Sequence, residues 1–166
     1  MLIYHPAYDA YHCLFRMIAI VDHVQELEVD KARILDFYMI FPSLIQNIRM
    51  PVNYSQIKKL AKLYHNQYHD PISQDITFKD MYQIQLAAIK CLAATGLIVK
   101  EKLNRGLIYR TNMKIPDELL ISMKKYLERR DDINSFIIEK LSQFHLFGKD
   151  GLKDRTGLME YRYDFS

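Results

Sequence analysis

The sequence predicts a mainly α-helical fold with a small β-hairpin, arranged as a winged helix-turn-helix with additional N- and C-terminal helices. Apolar residues recur at helical spacing over most of the chain. Gly96 stands where one of these helices would end, and two β-prone segments then flank a short loop that contains Gly106. A helix, a glycine and a hairpin in succession form the carboxyl-terminal half of a winged helix. The alternative is an unrelated helical domain that carries an isolated hairpin.

The composition is that of a globular protein. The chain has 166 residues, of which 49% are hydrophobic and 26% are charged, which suffices for one packed domain. The net charge of +3 is well below that of a dedicated nucleic-acid-binding protein. No uninterrupted apolar stretch is longer than residues 17–21, and a stretch of that length is far too short to span a bilayer. We therefore expect no membrane partner and a cytoplasmic location.

Three helices are predicted in the first half of the chain. Residues 5–25 open with Pro6, which suits a first helical position, and carry a wide apolar stripe. A second helix begins at Asp30 as N-cap and ends before Pro42. Residues 55–67 form a third amphipathic segment, in which the lysines lie on the outer face.

The stretch that follows is the most informative part of the sequence. A helix is predicted over residues 77–95, capped by a threonine. Two strands, residues 97–103 and 107–111, are separated by the loop 104–106, in which glycine can adopt a positive φ. Together they form the predicted wing, residues 97–111.

Two further helices are predicted over residues 116–130 and 133–147, so that residues 1–147 form a single winged-helix-like domain. Residues 148–166 form a glycine-containing tail that is rich in aromatic side chains. Such a tail either docks on its own domain or binds a partner, and the sequence favours neither alternative.

The sequence offers little for catalysis or metal binding. His5, Asp9, His12 and Cys13 lie on or near the first helix, and zinc accepts such ligands, but ordinary helix residues explain them better. Cys13 and Cys91 both lie in apolar segments and are interpreted as buried thiols. No glycine-rich phosphate loop or paired-carboxylate motif is present. We therefore expect no metal site, no cofactor and no enzymatic activity.

Contact with nucleic acid is the more serious possibility. The helix over 77–95 offers lysine and glutamine but no arginine, the commonest reader of guanine, so sequence-specific recognition looks poor. The wing is more basic, with a net charge of +3 that equals that of the whole chain. Its candidates for contact with the DNA backbone are Lys100, Lys102, Arg105 and Arg110. A solvated wing is the alternative, and the basic pairs Lys124-Lys125 and Arg129-Arg130 are interpreted as a solvated helix face.

The N-terminal block carries a resemblance to a known family. Residues 2–9 (LIYHPAYD), 11–13 (YHC), 15–16 (FR), 27–30 (LEVD) and 33–38 (RILDFY), with Phe41-Pro42, resemble the middle component of bacterial ABC-three-component systems. These systems include the small accessory subunit of Lamassu-type antiviral defence. The similarity is densest over residues 2–50, and it is a similarity of pattern rather than of a catalytic motif.

This resemblance implies a non-catalytic accessory subunit of a defence complex directed against phages or plasmids. In such systems a large SMC-like or ABC-type ATPase hydrolyses nucleotide, and a separate effector, often a nuclease, supplies toxicity. Both are therefore expected partners, whereas the resemblance leaves open whether double-stranded DNA is contacted non-specifically. The middle component looks like the winged-helix partners of SMC complexes, which bridge or stabilise ATPase heads.

Aromatic side chains near the two ends of the chain are the predicted protein contacts, since buried tyrosine and phenylalanine anchors often dominate interfaces. They are Tyr4, His5, Tyr8, Tyr11, Phe15, Tyr161, Tyr163 and Phe165. For Tyr8, Tyr11 and Phe15 the protein's own core is an equally good explanation. A free-standing winged-helix transcription regulator is the alternative function, and such regulators usually read two half-sites as dimers.

Overall fold

The computed structural model describes residues 5–164, and this part of the chain is mainly helical, as the sequence predicts. Its α-helices are α1 (Ala10–His23), α2 (Val29–Ile40), α3 (Ser55–Lys62), α4 (Gln74–Asp80), α5 (Tyr82–Ala94), α6 (Lys100–Leu103), α7 (Asp117–Glu128), α8 (Asp131–Glu139) and α9 (Leu152–Thr156). Its strands are β1 (Glu26–Glu28) and β2 (Leu107–Tyr109). Short 3-10 turns cover Pro6–Tyr8, Pro42–Asn47, Val52–Tyr54 and Leu141–Gln143.

Helices α1, α2 and α5 form the centre of the fold. α2 is buried on nearly all sides, from Ala32 to Met39, which is typical of a helix at the middle of a core. α1 packs against both α2 and α5. It begins at Ala10 rather than at Pro6, because the Asp9 carboxylate accepts a hydrogen bond from the His12 amide and caps the helix.

The two strands come from distant parts of the chain. β1 lies between α1 and α2, and it pairs antiparallel with β2, with Leu27 opposite Ile108. On the other side of β2, Ile98 forms an antiparallel bridge with Arg110, and the Val99 amide donates to the Tyr109 carbonyl oxygen. The partner of β2 in the sheet is therefore β1, which the sequence did not predict.

The predicted strand over residues 97–103 is wrong in its second half. Only residues 97–99 are extended, and α6 follows at Lys100. Lysine, glutamate and leucine are good helix formers and lack the branched Cβ that favours strands. The turn from α6 into β2 passes through Gly106, whose φ of +73° suits glycine.

Three other predicted helices differ in their bounds. The helix predicted over 77–95 begins earlier, because Ser73 caps α4, and it is interrupted at Met81 before α5. The helix predicted over 133–147 ends at Glu139. The one predicted over 55–67 ends at Lys62.

The C-terminal segment is fastened to the body of the protein by ion pairs. Arg49 donates to Asp150 and to Asp154, each at 2.6 Å. The Lys153 amine lies 2.9 Å from Asp164, which also accepts a hydrogen bond from the Gly148 amide. The Arg49 ion pairs link the tail to the body of the protein, whereas the Asp164 contacts lie within the tail and hold its end against α9 and the turn before it.

Between residues 5 and 164 the structure contains no helix that is both long enough and apolar enough to cross a membrane. The longest, α1, has 14 residues, against the roughly 20 that a spanning helix needs.

Candidate functional site

A polar network lies inside the core and fixes the relative positions of α1, α2 and α5. The Arg16 guanidinium donates from Nε to Asp36 Oδ1 at 2.5 Å, and both side chains are fully buried. Gln85 of α5 donates to the other oxygen of Asp36 at 2.9 Å and accepts from Arg33 at 3.0 Å. Each of the three helices is thus held to the others by hydrogen bonds that the interior makes costly to break.

The charges in this network balance each other. Burial lowers the pKa of Arg16, but the adjacent Asp36 carboxylate outweighs that effect and raises it overall. Burial lowers the pKa of Arg33, which donates to Asp30 and lies over the Phe78 ring. Burial, with the Asp36 charge, also raises the pKa of the Cys13 thiol to about 12. The network is therefore structural, and we expect its thiol to stay protonated at neutral pH.

The predicted interface aromatics of the N-terminal block are spread over two environments. Tyr8 and Tyr11 are exposed, at 47% and 69% of their surface, whereas Phe15 is buried at 8%. The His5 ring lies 5.2 Å from that of Tyr8, and the Tyr8 hydroxyl reaches Asp80 of α4. Tyr8 and Tyr11 are thus available for protein contacts, while Phe15 belongs to the core. Tyr4 lies outside the described residues.

A groove runs between the first turns of α1 and the last turns of α7. We call it the α1–α7 groove. Its volume is about 230 Å³, and it is lined by Tyr11, His12, Phe15, Ser122, Lys125, Tyr126 and Arg129. The ring of Phe15 meets that of Tyr126 edge to face at 5.5 Å and forms its floor. The four α7 residues follow the i, i+3, i+4, i+7 spacing of one helical face.

A second cleft, of about 310 Å³, continues from the α1–α7 groove and shares His12 and Tyr126 with it. Arg130 stands at this cleft, with its guanidinium over the ring of Tyr64. The one carboxylate at its rim, Asp70, accepts hydrogen bonds from Ser43 and from the His65 ring. The two clefts together present a continuous aromatic and cationic surface.

The predicted cations of the wing differ in exposure and in their contacts with the rest of the protein. Lys100 and Arg105 are exposed, and the Lys102 amine lies over the Tyr109 ring at 4.8 Å. The Arg110 guanidinium forms an ion pair with Asp22 at 3.3 Å and donates to the Thr111 carbonyl oxygen. Arg110 is therefore engaged within the protein, whereas none of the other three forms an ion pair with a carboxylate among residues 5–164.

The helix before the wing has few groups that could read bases. Gln85 is fully buried in the polar network. The exposed face of α5 consists largely of small or apolar side chains, with Gln83 and Lys90 as its polar members. Direct recognition of a base sequence by this helix is poorly supported.

The tail aromatics and the cysteines are placed as follows. Tyr161 is half-buried and Tyr163 is 74% exposed, while Phe165 lies outside the described residues. Cys13 is buried as predicted, but Cys91 is exposed, because it lies on the outer face of α5. Within residues 5–164 no group of three or more histidine, cysteine or acidic side chains is arranged to hold a metal ion.

Comparison with known proteins adds the family. Residues 2–164 match the sequence model of one protein family, the ABC-three component (ABC-3C) system Middle Component 5, MC5. The chain belongs to the MC5 family. Searches of curated proteins and of solved structures returned no significant match. As a middle component of a multi-subunit system, the MC5 chain has partner subunits, and the resemblance seen in its N-terminal block is confirmed.

The basic side of the α1–α7 groove is what the sequence reasoning missed. Lys125 and Arg129 were interpreted as part of a solvated helix face, together with Lys124 and Arg130. In the structure Lys125 and Arg129 line the groove, whereas the exposed Lys124 does not. The spacing of Ser122, Lys125, Tyr126 and Arg129 was a readable signal of a shared face, but nothing in the sequence showed that α1 lies opposite.

Proposed function

We propose that this MC5 chain is a non-catalytic accessory subunit that docks on the large SMC-like or ABC-type ATPase of a defence complex against phages or plasmids. The observation that carries the proposal is the family match over residues 2–164. The sequence has no glycine-rich phosphate loop, so ATP hydrolysis is assigned to the partner. A separate effector, a nuclease in the simplest version, completes the complex.

The fold is compatible with a winged-helix subunit. β1 lies between the first two helices and pairs with β2, and residues 97–99 bridge β2 on its other side. A hairpin that follows a third helix and pairs with a strand between the first two is the arrangement of a winged helix. We therefore interpret α1, α2 and α5 as its three helices, with residues 41–73 as an insertion.

The wing is the proposed contact with the DNA backbone. Lys100, Lys102 and Arg105 lie on or directly after α6, at the far edge of the small sheet. Such cations bind phosphates without reading bases. Arg110 is left out, because its guanidinium pairs with Asp22. A free-standing transcription regulator is the weaker candidate, since α5 presents few base-reading groups.

Affinity purification of the tagged chain from its source cell, followed by mass spectrometry, tests the proposal. We expect recovery of a large ATPase and a second subunit in fixed proportion. A tagged chain with Tyr8→Ala and Tyr11→Ala tests these two candidate interface residues in the same purification. Both side chains are exposed, so their loss should weaken recovery of the partners without unfolding the protein. Recovery of the chain by itself would reject the accessory role and turn attention to operator footprinting.

A further inference from the structure

We propose that the α1–α7 groove binds an acidic segment of another subunit, with an apolar side chain of that segment packed on the groove's aromatic floor. This inference rests on the proposed function, because it names the chemistry of a partner that an accessory subunit would bind. It concerns a surface at the N-terminal end of α1, away from the wing.

The floor of the groove suits an apolar anchor. Phe15 and Tyr126 meet edge to face at 5.5 Å, and Tyr11 lies 6.4 Å from Phe15 between ring centres. Tyr11 is 69% exposed, so much of its ring faces solvent in the isolated chain. Covering such a ring with an apolar side chain is a common source of binding energy at interfaces.

The charge of the groove selects the partner. Lys125 and Arg129 lie one helical turn apart at the end of α7 and line the groove. No carboxylate is part of the lining, and Asp9 beside it is paired with His12 at 3.0 Å. No carboxylate among residues 5–164 forms an ion pair with either side chain. Two exposed cations beside an aromatic floor complement aspartate or glutamate on both sides of an apolar residue.

The second cleft extends this complementarity. Arg130 adds a third exposed cation beside Tyr64. Asp70, the carboxylate at its rim, accepts hydrogen bonds from Ser43, the His65 ring and the Asn66 amide. A partner segment that leaves the α1–α7 groove in this direction therefore meets a further positive charge.

A protein segment fits the surface better than nucleic acid does. Single-stranded nucleic acid binds to a series of exposed aromatic faces, one for each stacked base. Here Tyr11 is the most exposed ring of the groove, whereas Phe15 is buried and Tyr126 is half-buried. The wing lies beside Asp22, at the other end of α1 and roughly 16 Å from Tyr11 at the helical rise, so the two surfaces can hold different partners.

The test compares two variants that change charge by the same amount. Lys125→Glu with Arg129→Glu reverses the two cations of the groove. Lys124→Glu with Lys149→Glu reverses two exposed lysines elsewhere and is the matched control. Fluorescence polarisation measures binding of a fluorescein-labelled peptide of aspartate and glutamate with one central phenylalanine. The same peptide with alanine at its centre, and an oligothymidylate strand, are the comparison probes.

We expect the phenylalanine peptide to bind the full chain, to bind about tenfold more weakly or worse to the groove variant, and to bind the control variant unchanged. The groove variant should also lose its partner in affinity purification. A partner that is retained by the groove variant would overturn the inference and leave the proposed function intact. Tighter, groove-dependent binding of oligothymidylate, or no binding of the phenylalanine peptide, would also overturn it, whether or not a partner is recovered.

Discussion

Arg16 of α1 and Asp36 of α2 form a fully buried ion pair, with 2.5 Å between Nε and Oδ1. Gln85 of α5 joins the same carboxylate. Two consecutive helices and a third from the middle of the chain therefore meet at one carboxylate. Because neither charge is in contact with water, each depends on the other for compensation.

Replacing Asp36 by alanine should destabilise the fold strongly. The Arg16 guanidinium would remain buried without a counter-charge, so we expect the free energy of unfolding to fall by about 3–5 kcal/mol. Urea denaturation followed by circular dichroism measures this change. The double variant Arg16→Met with Asp36→Leu should lose less than either single change, since no charge is then left buried. Losses that simply add would contradict the pairing.

The exposed pair Arg162–Glu160, at 3.6 Å, provides the comparison for this prediction. Both side chains are largely in solvent, and such pairs contribute little. Glu160→Ala should lower the free energy of unfolding by less than about 1 kcal/mol. An equal loss at both pairs would mean that burial does not govern their strength.

The two cysteines should differ in reactivity. The Cys13 thiol is buried and its pKa is raised to about 12, whereas Cys91 is exposed on α5. An aromatic disulfide reagent at pH 8 should therefore titrate one thiol in the native protein and both after denaturation. Cys91→Ser should abolish the native reaction. Rapid reaction of Cys13 in that variant would contradict its position in the core.

The C-terminal ion pairs should make stability depend on acid pH. Hydrogen bonds from Arg49 lower the pKa of Asp150, and the Lys153 amine, with the Gly148 amide, lowers that of Asp164. A lowered native pKa contributes stability above the ordinary carboxyl pKa, and that contribution is lost as the pH falls through the native value. We expect urea midpoints to decrease from about pH 5 to about pH 2. Asp164→Asn should flatten this decrease, and an identical pH profile would contradict the contacts of Asp164 with Lys153 and the Gly148 amide.

Two glycines should tolerate alanine differently. A Cβ at Gly151 would lie 2.4 Å from the Phe147 carbonyl oxygen, which is too close for any side chain. At Gly106 the space is open, and the cost comes from the φ of +73° alone. Gly106→Ala should cost about 1 kcal/mol, and Gly151→Ala should cost more, as measured by thermal denaturation. The reverse order would contradict the packing of α9.

Loss of the three wing cations other than Arg110 should weaken DNA binding. The triple variant Lys100→Ala, Lys102→Ala, Arg105→Ala should bind unrelated duplexes with equally reduced affinity, and the salt slope should flatten by about 1 for each lost contact. The control variant Lys59→Ala, Lys62→Ala, Lys124→Ala removes the same charge from exposed positions outside the wing. Unchanged binding of the wing variant in filter-binding assays would remove DNA from the proposed partners.

The sequence predicted the helices better than their contacts. Apolar spacing identified α1, α2 and α5, because a helix that packs on a core must repeat its apolar residues near every 3.6 positions. The loop that contains Gly106 also predicted the turn before β2. The pairing of β1 with β2 was missed, since β1 has three residues and the partner of so short a strand is set by tertiary packing.

For the candidate interaction surfaces, too, the sequence predicted individual residues better than their contacts. Tyr11 and Phe15 lie on the same predicted apolar stripe, but in the structure Tyr11 is exposed and Phe15 is buried, and the interface role of Tyr11 stays a prediction. Lys125 and Arg129 could not be assigned a role, because the groove exists only where α7 packs beside α1. Arg110 looked like any other wing cation until its ion pair with Asp22 was seen. Such pairings depend on long-range geometry that periodicity does not encode.

The native mass of the material purified through this chain is the most direct test of the accessory role. We predict an assembly with a large ATPase and an effector in fixed stoichiometry. When Lys125 and Arg129 are both changed to glutamate, we predict a lighter assembly that has lost at least one of these two subunits. A mass that corresponds to this chain alone, as a monomer or a homodimer, would contradict the account.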